Sequence, residues 1–193
     1  PYSEPYVIIN PSHSIADEWI RDAEVSIDPD EREVSGFCDL HGEMTGRDGG
    51  VKVYFAARFS RGFADFGTWS DGVVMPEGTD QRGSDIGAYV GFESKAEPVV
   101  VKVGISYQSV EQARANLEAQ VPDFDFDRVR RDARERWNDV LSKIEVAGAT
   151  EREKEIFYTA LYHSLLAPTD YTEAGGVFFS GADGRGEVFR DRG

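Results

Sequence analysis

The chain has 193 residues, 36 Asp and Glu against 21 Lys and Arg, and a formal net charge of −15. Nucleic acids and anionic membranes are held through Lys and Arg, so a chain this acidic is expected to bind neither. No apolar run reaches the roughly 20 residues that span a bilayer, whereas 40% hydrophobic and 12% aromatic residues suffice for a folded core.

Residues 1 to 108 read as β-structure. Short apolar runs at Tyr6 to Ile9, Glu24 to Ile27, Glu33 to Leu40, Val51 to Ser60, Phe63 to Trp69 and Gly87 to Glu93 are separated by Gly, Pro and Asp turn chemistry. The clearest strand is Val99 to Tyr107, where Val99, Val101, Val103, Ile105 and Tyr107 alternate with Val100, Lys102, Gly104 and Ser106, the period of a half-buried strand. Many short strands without intervening helices predict an antiparallel sandwich. Residues 1–50 carry 12 acidic and three basic side chains, an excess that reads as a solvated face. Cys38 is the single cysteine, which excludes an internal disulfide and a cysteine zinc site and leaves a small core residue as its expected role.

The period changes at Ser109. Ser109 and Gln112 have capping-box spacing, and Val110, Ala113, Leu117 and Val121 share one face of a helix that ends before Pro122. A second helix is predicted from Asp125 to Gly148 with Val129, Ala133, Trp137, Leu141 and Ile144 as its apolar stripe. Thr150 and Glu153 form another capping box, opening a third helix that carries Ile156, Phe157, Ala160, Leu161 and Leu165 and ends at Pro168. Its broad apolar face has little following chain to cover it and predicts a further helical partner. Beginning on Pro1 and closing at Gly193 in a polar, Gly-rich stretch, the chain is expected to be a piece of something longer.

No residue set identifies a chemistry unaided. Asp123, Asp125 and Asp127 alternate like the start of a calcium loop, but Arg128 and Arg134 stand where that loop needs Gly and Glu, so helix capping is the expected role. His13, His41 and His163 are too scattered for a recognisable metal pair. Phe59, Phe63, Phe66 and Trp69 could stack on sugar rings or fill the core, and the core is the favoured reading. Paired glycosidase carboxylates are defined by a spatial separation and cannot be chosen from spacing.

Three segments are more specific: Val101-Lys-Val-Gly-Ile-Ser106, the Trp137-Asn138 pair before Leu141-Ser-Lys-Ile-Glu-Val146, and Phe157-Tyr-Thr-Ala-Leu-Tyr-His-Ser-Leu-Leu-Ala-Pro168. Together with the sequence around them they resemble glycoside hydrolase family 92, the calcium-dependent exo-acting α-mannosidases, clearly over residues 85–185 and more loosely before. The resemblance implies an α+β chain in which an antiparallel β-sandwich, residues 1–108, is followed by linker α-helices, 109–148, and by the start of an (α/α)6 barrel, 149–193. It implies inverting release of terminal α-linked mannose from glycans, in which one carboxylic acid protonates the leaving oxygen and a base activates water on the opposite face. Calcium is implied as the cofactor of the parent enzyme, with its ligands and both catalytic carboxylates outside this chain. The expected partners are a mannose-containing glycan and the remainder of the catalytic domain, and the family suggests a secreted, periplasmic or cell-surface location. The loop after the third helix, Thr169 to Glu173, is expected to approach the substrate, with Tyr171, Asp183 and Arg185 as candidate substrate-binding residues. The alternatives are a non-catalytic carbohydrate-binding sandwich and an interaction domain whose acidic face binds a cationic partner.

Overall fold

The computed structural model describes residues 5–14, 18–42, 49–93, 97–167, 169–180 and 187–190. They form two compact units, one running to Phe124 and resuming at Thr172, the other spanning Asp125–Tyr171.

The first unit holds the sandwich. One antiparallel sheet joins β1 (Tyr6–Ile9), β8 (Ile86–Gly91), β5 (Asp65–Ser70) and β6 (Val73–Pro76), in that order. The other runs β7 (Asp80–Gly83), β2 (Trp19–Asp28), β3 (Glu33–His41), β4 (Val51–Phe59) and β9 (Val101–Ser106). Ala23, Val25 and Ile27 of β2, Val34 of β3, and Ala57 and Phe59 of β4 meet Ile86, Ala88 and Val90 of β8, and this cluster is the core. Each large apolar side chain withdrawn from water here contributes about 1.5–3 kcal/mol. Phe59 is 1% exposed and packs edge-on to Phe63 at 5.3 Å and beside Phe92 at 5.8 Å, so these aromatics fill the core as expected. The Trp69 ring packs against Gly87, its register partner on β8, where any Cβ would strike it.

Two strands of the two sandwich sheets escape the sequence pattern. β6 follows a two-residue turn, Asp71-Gly72, with both φ angles positive (49° and 75°), the backbone of a tight hairpin that matches strand twist. β7 is entirely polar and pairs with β2 at the sheet edge.

On β9 the polar face is the buried one. On β9 the exposed residues are Val101, Val103 and Ile105, and the buried ones are Lys102, Gly104 and Ser106. The reason is helix α1 (Val110–Gln120), which packs on the Lys-Gly-Ser face through Ala113, Asn116 and Leu117. The acidic front is also less solvated than its composition implies. Glu33 and Asp39 are 3% and 4% exposed, and both are paired with arginines.

The second unit pairs α2 (Phe126–Leu141) with α3 (Glu151–Ser164). Asp125 caps α2 by accepting the Arg128 N–H at 2.8 Å, the role expected of it. α2 stops at Leu141, so Ile144 lies past its end rather than in its stripe. Thr150 and Glu153 make a reciprocal capping box, and hydrogen bonds from Thr150 hold the Glu153 carboxyl below its ordinary range. Trp137 packs on Tyr162 at 4.6 Å, and the Tyr158 hydroxyl donates to the Ile144 carbonyl at 2.9 Å. Neither helix contains a buried residue, and Ile156, Leu165 and Leu166 of the α3 segment are exposed.

Candidate functional site

The segment Val101–Ser106 does three separate jobs with its polar face. Lys102 donates to the carbonyls of Val121 (3.0 Å) and Pro122 (2.9 Å), satisfying the C-terminal end of α1, and its ammonium lies 5.1 Å from the centre of the Phe124 ring. Gly104 lets α1 approach the sheet: a Cβ there would land on the Ala113 carbonyl and 2.8 Å from Leu117 Cβ. Ser106 donates at 2.6 Å to the carboxylate of Glu173.

Glu173 lies at the point where the chain returns from the helical unit. Its carboxylate also accepts the Tyr107 N–H and the Asn116 amide, both at 2.9 Å. Asn116 answers by accepting the Ala174 N–H at 2.8 Å, and Gln112 donates to the Ala174 carbonyl at 2.8 Å and to Asn116 at 3.1 Å. Gln112 therefore serves this network, while Ser109 alone caps α1 by accepting the Gln112 N–H. Behind Glu173 the turn at Gly175 and Gly176, with φ of 83° and 71°, leads into the hairpin of β10 (Val177–Ser180) and β11 (Glu187–Arg190). Val177 is buried, and Phe179 stacks on Tyr107 at 6.4 Å. Glu173 is thus a tether that pins the returning chain to β9 and α1 rather than a side chain free to meet a ligand. Glu173→Ala is expected to cost about 2–3 kcal/mol, because it removes one charged acceptor shared by three donors. Urea unfolding followed by circular dichroism checks this, with Glu173→Gln recovering part of the loss.

Of the candidate substrate-binding residues, Tyr171 is exposed at the end of the helical unit, and Asp183 and Arg185 lie outside the described residues. The three histidines stay apart: His13 and His163 are exposed, whereas His41 is buried against Asp39. Burial pushes the Cys38 thiol above its ordinary value, which fits a packing role. Among the described residues no three His, Cys, Asp or Glu side chains converge into a group able to hold a cation.

The composition of the front hides an electrostatic cluster in the sandwich unit. Buried Glu33 accepts from Arg58 and from Arg114, both at 2.8 Å, and Arg58 also donates to Glu118 of α1 at 2.6 Å. The hydrogen bond to Glu33 raises the Arg58 guanidinium above its ordinary value, against a smaller opposing effect of burial. This cluster fastens α1 to the sheet, and the only sequence signal for it is the presence of the four side chains.

Residues 1–106 match the Glycosyl hydrolase family 92 N-terminal domain, and residues 112–191 match the Glycosyl hydrolase family 92 catalytic domain. The chain belongs to glycosyl hydrolase family 92. The family resemblance carried by Val101–Ser106 and by α3 is thereby borne out, and so is the sandwich-then-helices fold. An inverting family 92 mannosidase of Bacteroides thetaiotaomicron superposes with a TM-score of 0.84 at 25% identity, covering 97% of this chain and 25% of that one. A family 92 α-mannosidase of the same organism, solved also with mannoimidazole, gives 0.85 at 24% identity over 99% of this chain and 26% of its own. A protein of Arthroderma benhamiae described as an uncharacterized secreted glycosidase is 32% identical over 93 residues, 45% of this chain and 12% of that protein. The chain thus spans about a quarter of the solved structures and a smaller share of the curated relative. None of the described helices is long and apolar enough to cross a membrane.

Proposed function

We propose that this chain is the sandwich and the opening of the catalytic domain of an inverting exo-α-mannosidase that releases terminal α-linked mannose from glycans. The observation that carries the reading is the pair of family 92 matches, which between them take in almost the whole chain and meet at the β9 to α1 junction. The similarity to a solved inverting mannosidase and to an α-mannosidase that binds mannoimidazole supports mannose as the sugar. In this reading the 193 residues supply scaffold: the sandwich, the tether at Glu173, and an exposed apolar face on α3 for the rest of a helical catalytic domain. The general acid, the general base and a calcium site belong to other parts of the polypeptide. Tyr171, Asp183 and Arg185 are proposed to face the substrate. The relative described as secreted supports an extracytoplasmic location.

The test compares two lengths of protein. The 193 residues alone are expected to release no mannose from aryl or disaccharide α-mannosides. A polypeptide extended to the length of the solved relatives is expected to do so with inversion in calcium, and to stop with a chelator. Turnover by the short chain, or a calcium-replete long chain inert on every α-mannoside, would overturn the reading.

A further inference from the structure

On the outer face of the five-stranded sheet α1 covers β9 and the Glu33 end of β3, where Glu33 and Arg58 meet Arg114 and Glu118. At the other end lies Trp19, 55% exposed, directly opposite His41 in the β2 to β3 register. The two rings are stacked, 6.0 Å between centres and 27° between planes. His41 is 5% exposed, and its Nε2 lies 3.0 Å from Asp39 Oδ1. Arg21 closes the relay by donating from Nε (3.1 Å) and Nη2 (2.7 Å) to Asp39 Oδ2. Gly50, at φ 66°, brings bare backbone against the His41 ring, where a Cβ would collide with it. A large exposed aromatic is therefore backed by a buried His41–Asp39 pair that Arg21 engages from the solvent side, and paired strands hold it in place before any ligand arrives.

The surroundings of Trp19 indicate what such a platform suits. On the same face, Phe37 packs beside Tyr54 at 5.8 Å, with Lys52 4.5 Å and Arg82 5.6 Å from its ring centre. Arg82 pairs with Asp22 at 2.6 Å and with Glu24 at 3.7 Å. Three cations, Arg21, Lys52 and Arg82, thus stand among three carboxylates, Asp22, Glu24 and Asp39, and among the described residues these six charges cancel within a chain of charge −15. A polyanion would need a surplus of cations here, and a basic peptide a surplus of carboxylates. An uncharged polyhydroxyl ring needs neither. It needs an aromatic face for its C–H surface and fixed donors and acceptors for its hydroxyls, and both are present.

We infer that Trp19 and the charged pairs around it form a glycan-contact site on the outer face of the five-stranded sheet, stacking on a pyranose of the oligosaccharide that the enzyme trims. The inference rests on the mannosidase reading for the identity of the sugar. It is tested on the full protein with its active site filled by mannoimidazole, so that retention on α-mannan in affinity electrophoresis reports other contacts. Wild-type protein is expected to be retained equally at low and high salt. Trp19→Ala is expected to weaken retention about tenfold, and Trp19→Phe to keep most of it. Unchanged retention in Trp19→Ala overturns the site, as does retention lost in high salt. A lowered melting temperature in both variants with unaltered retention also overturns it, since that marks Trp19 as a packing residue. Failure of the wild-type protein to hydrolyse an aryl α-mannoside would instead remove the mannosidase reading, and is scored separately from retention on mannan.

Discussion

Replacing Gly104 by valine is expected to destabilise the sandwich unit by about 3 kcal/mol or more, lowering its melting temperature by roughly 6–12 °C. The added atoms have nowhere to go. The Cβ alone falls on the Ala113 carbonyl and within 2.8 Å of Leu117 Cβ, and both belong to the helix backbone or its buried face. Relief therefore requires α1 to move off the sheet as a body. That movement would stretch the Lys102 bonds to Val121 and Pro122 and the Asn116 bond to Glu173 together. Val103→Thr is the matched control one residue away. Its side chain is 57% exposed, so the change should stay within about 0.5 kcal/mol. Equal losses at the two positions, measured by thermal unfolding, would contradict the assignment of faces on β9.

Removing both Arg58 and Arg114 by substitution with Met is expected to cost about 3–5 kcal/mol, more than the two single changes suggest when added. Either arginine alone still serves the Glu33 carboxylate, which is 3% exposed and accepts from both at 2.8 Å. With both gone, a carboxylate is left out of water without a cation. A third change, Glu33→Leu in the same background, should return much of the stability, because the buried charge then disappears along with its partners. Chemical denaturation of the singles, the double and the triple measures this directly. A strictly additive series would show that Glu33 finds water or another donor.

The elements most readable in the sequence are those whose signal is local. Ser109, Asp125 and Thr150 announce three helix starts because capping is decided within one turn of chain, and all three cap in the structure. The strand Val101–Ser106 was visible from its alternation, but alternation reports only that two faces differ. Which face is buried depends on α1, and α1 selects Lys102, Gly104 and Ser106 because a glycine admits its backbone and two polar side chains find partners there. β7 carries no apolar residue, so nothing in it competes with a loop reading. β6 could have been found from Asp71-Gly72 between two short runs. At the candidate site, Glu173 reads as one more acid in a loop. Its role depends on Ser106, Tyr107 and Asn116, which lie 57 to 67 positions earlier and come near only after folding. The same applies to Glu33 and Asp39, since a count of charges cannot separate a solvated acid from one enclosed by arginines.

The return of the chain at Thr172 also bears on the order of folding and on where the polypeptide can be cut. The unit that begins the chain cannot be completed from consecutive sequence, because its last pieces, Glu173, Val177 and the β10–β11 hairpin, are made after both helices of the other unit. During synthesis, β9 and α1 must wait with the Asn116 amide and the Ser106 hydroxyl in water until the tether arrives. A sandwich excised at Phe124 would keep that unfinished edge permanently. Any dissection of the protein into parts does better to split the polypeptide in two places, at Phe124 and at Thr172, than to make one cut at the sheet-to-helix boundary.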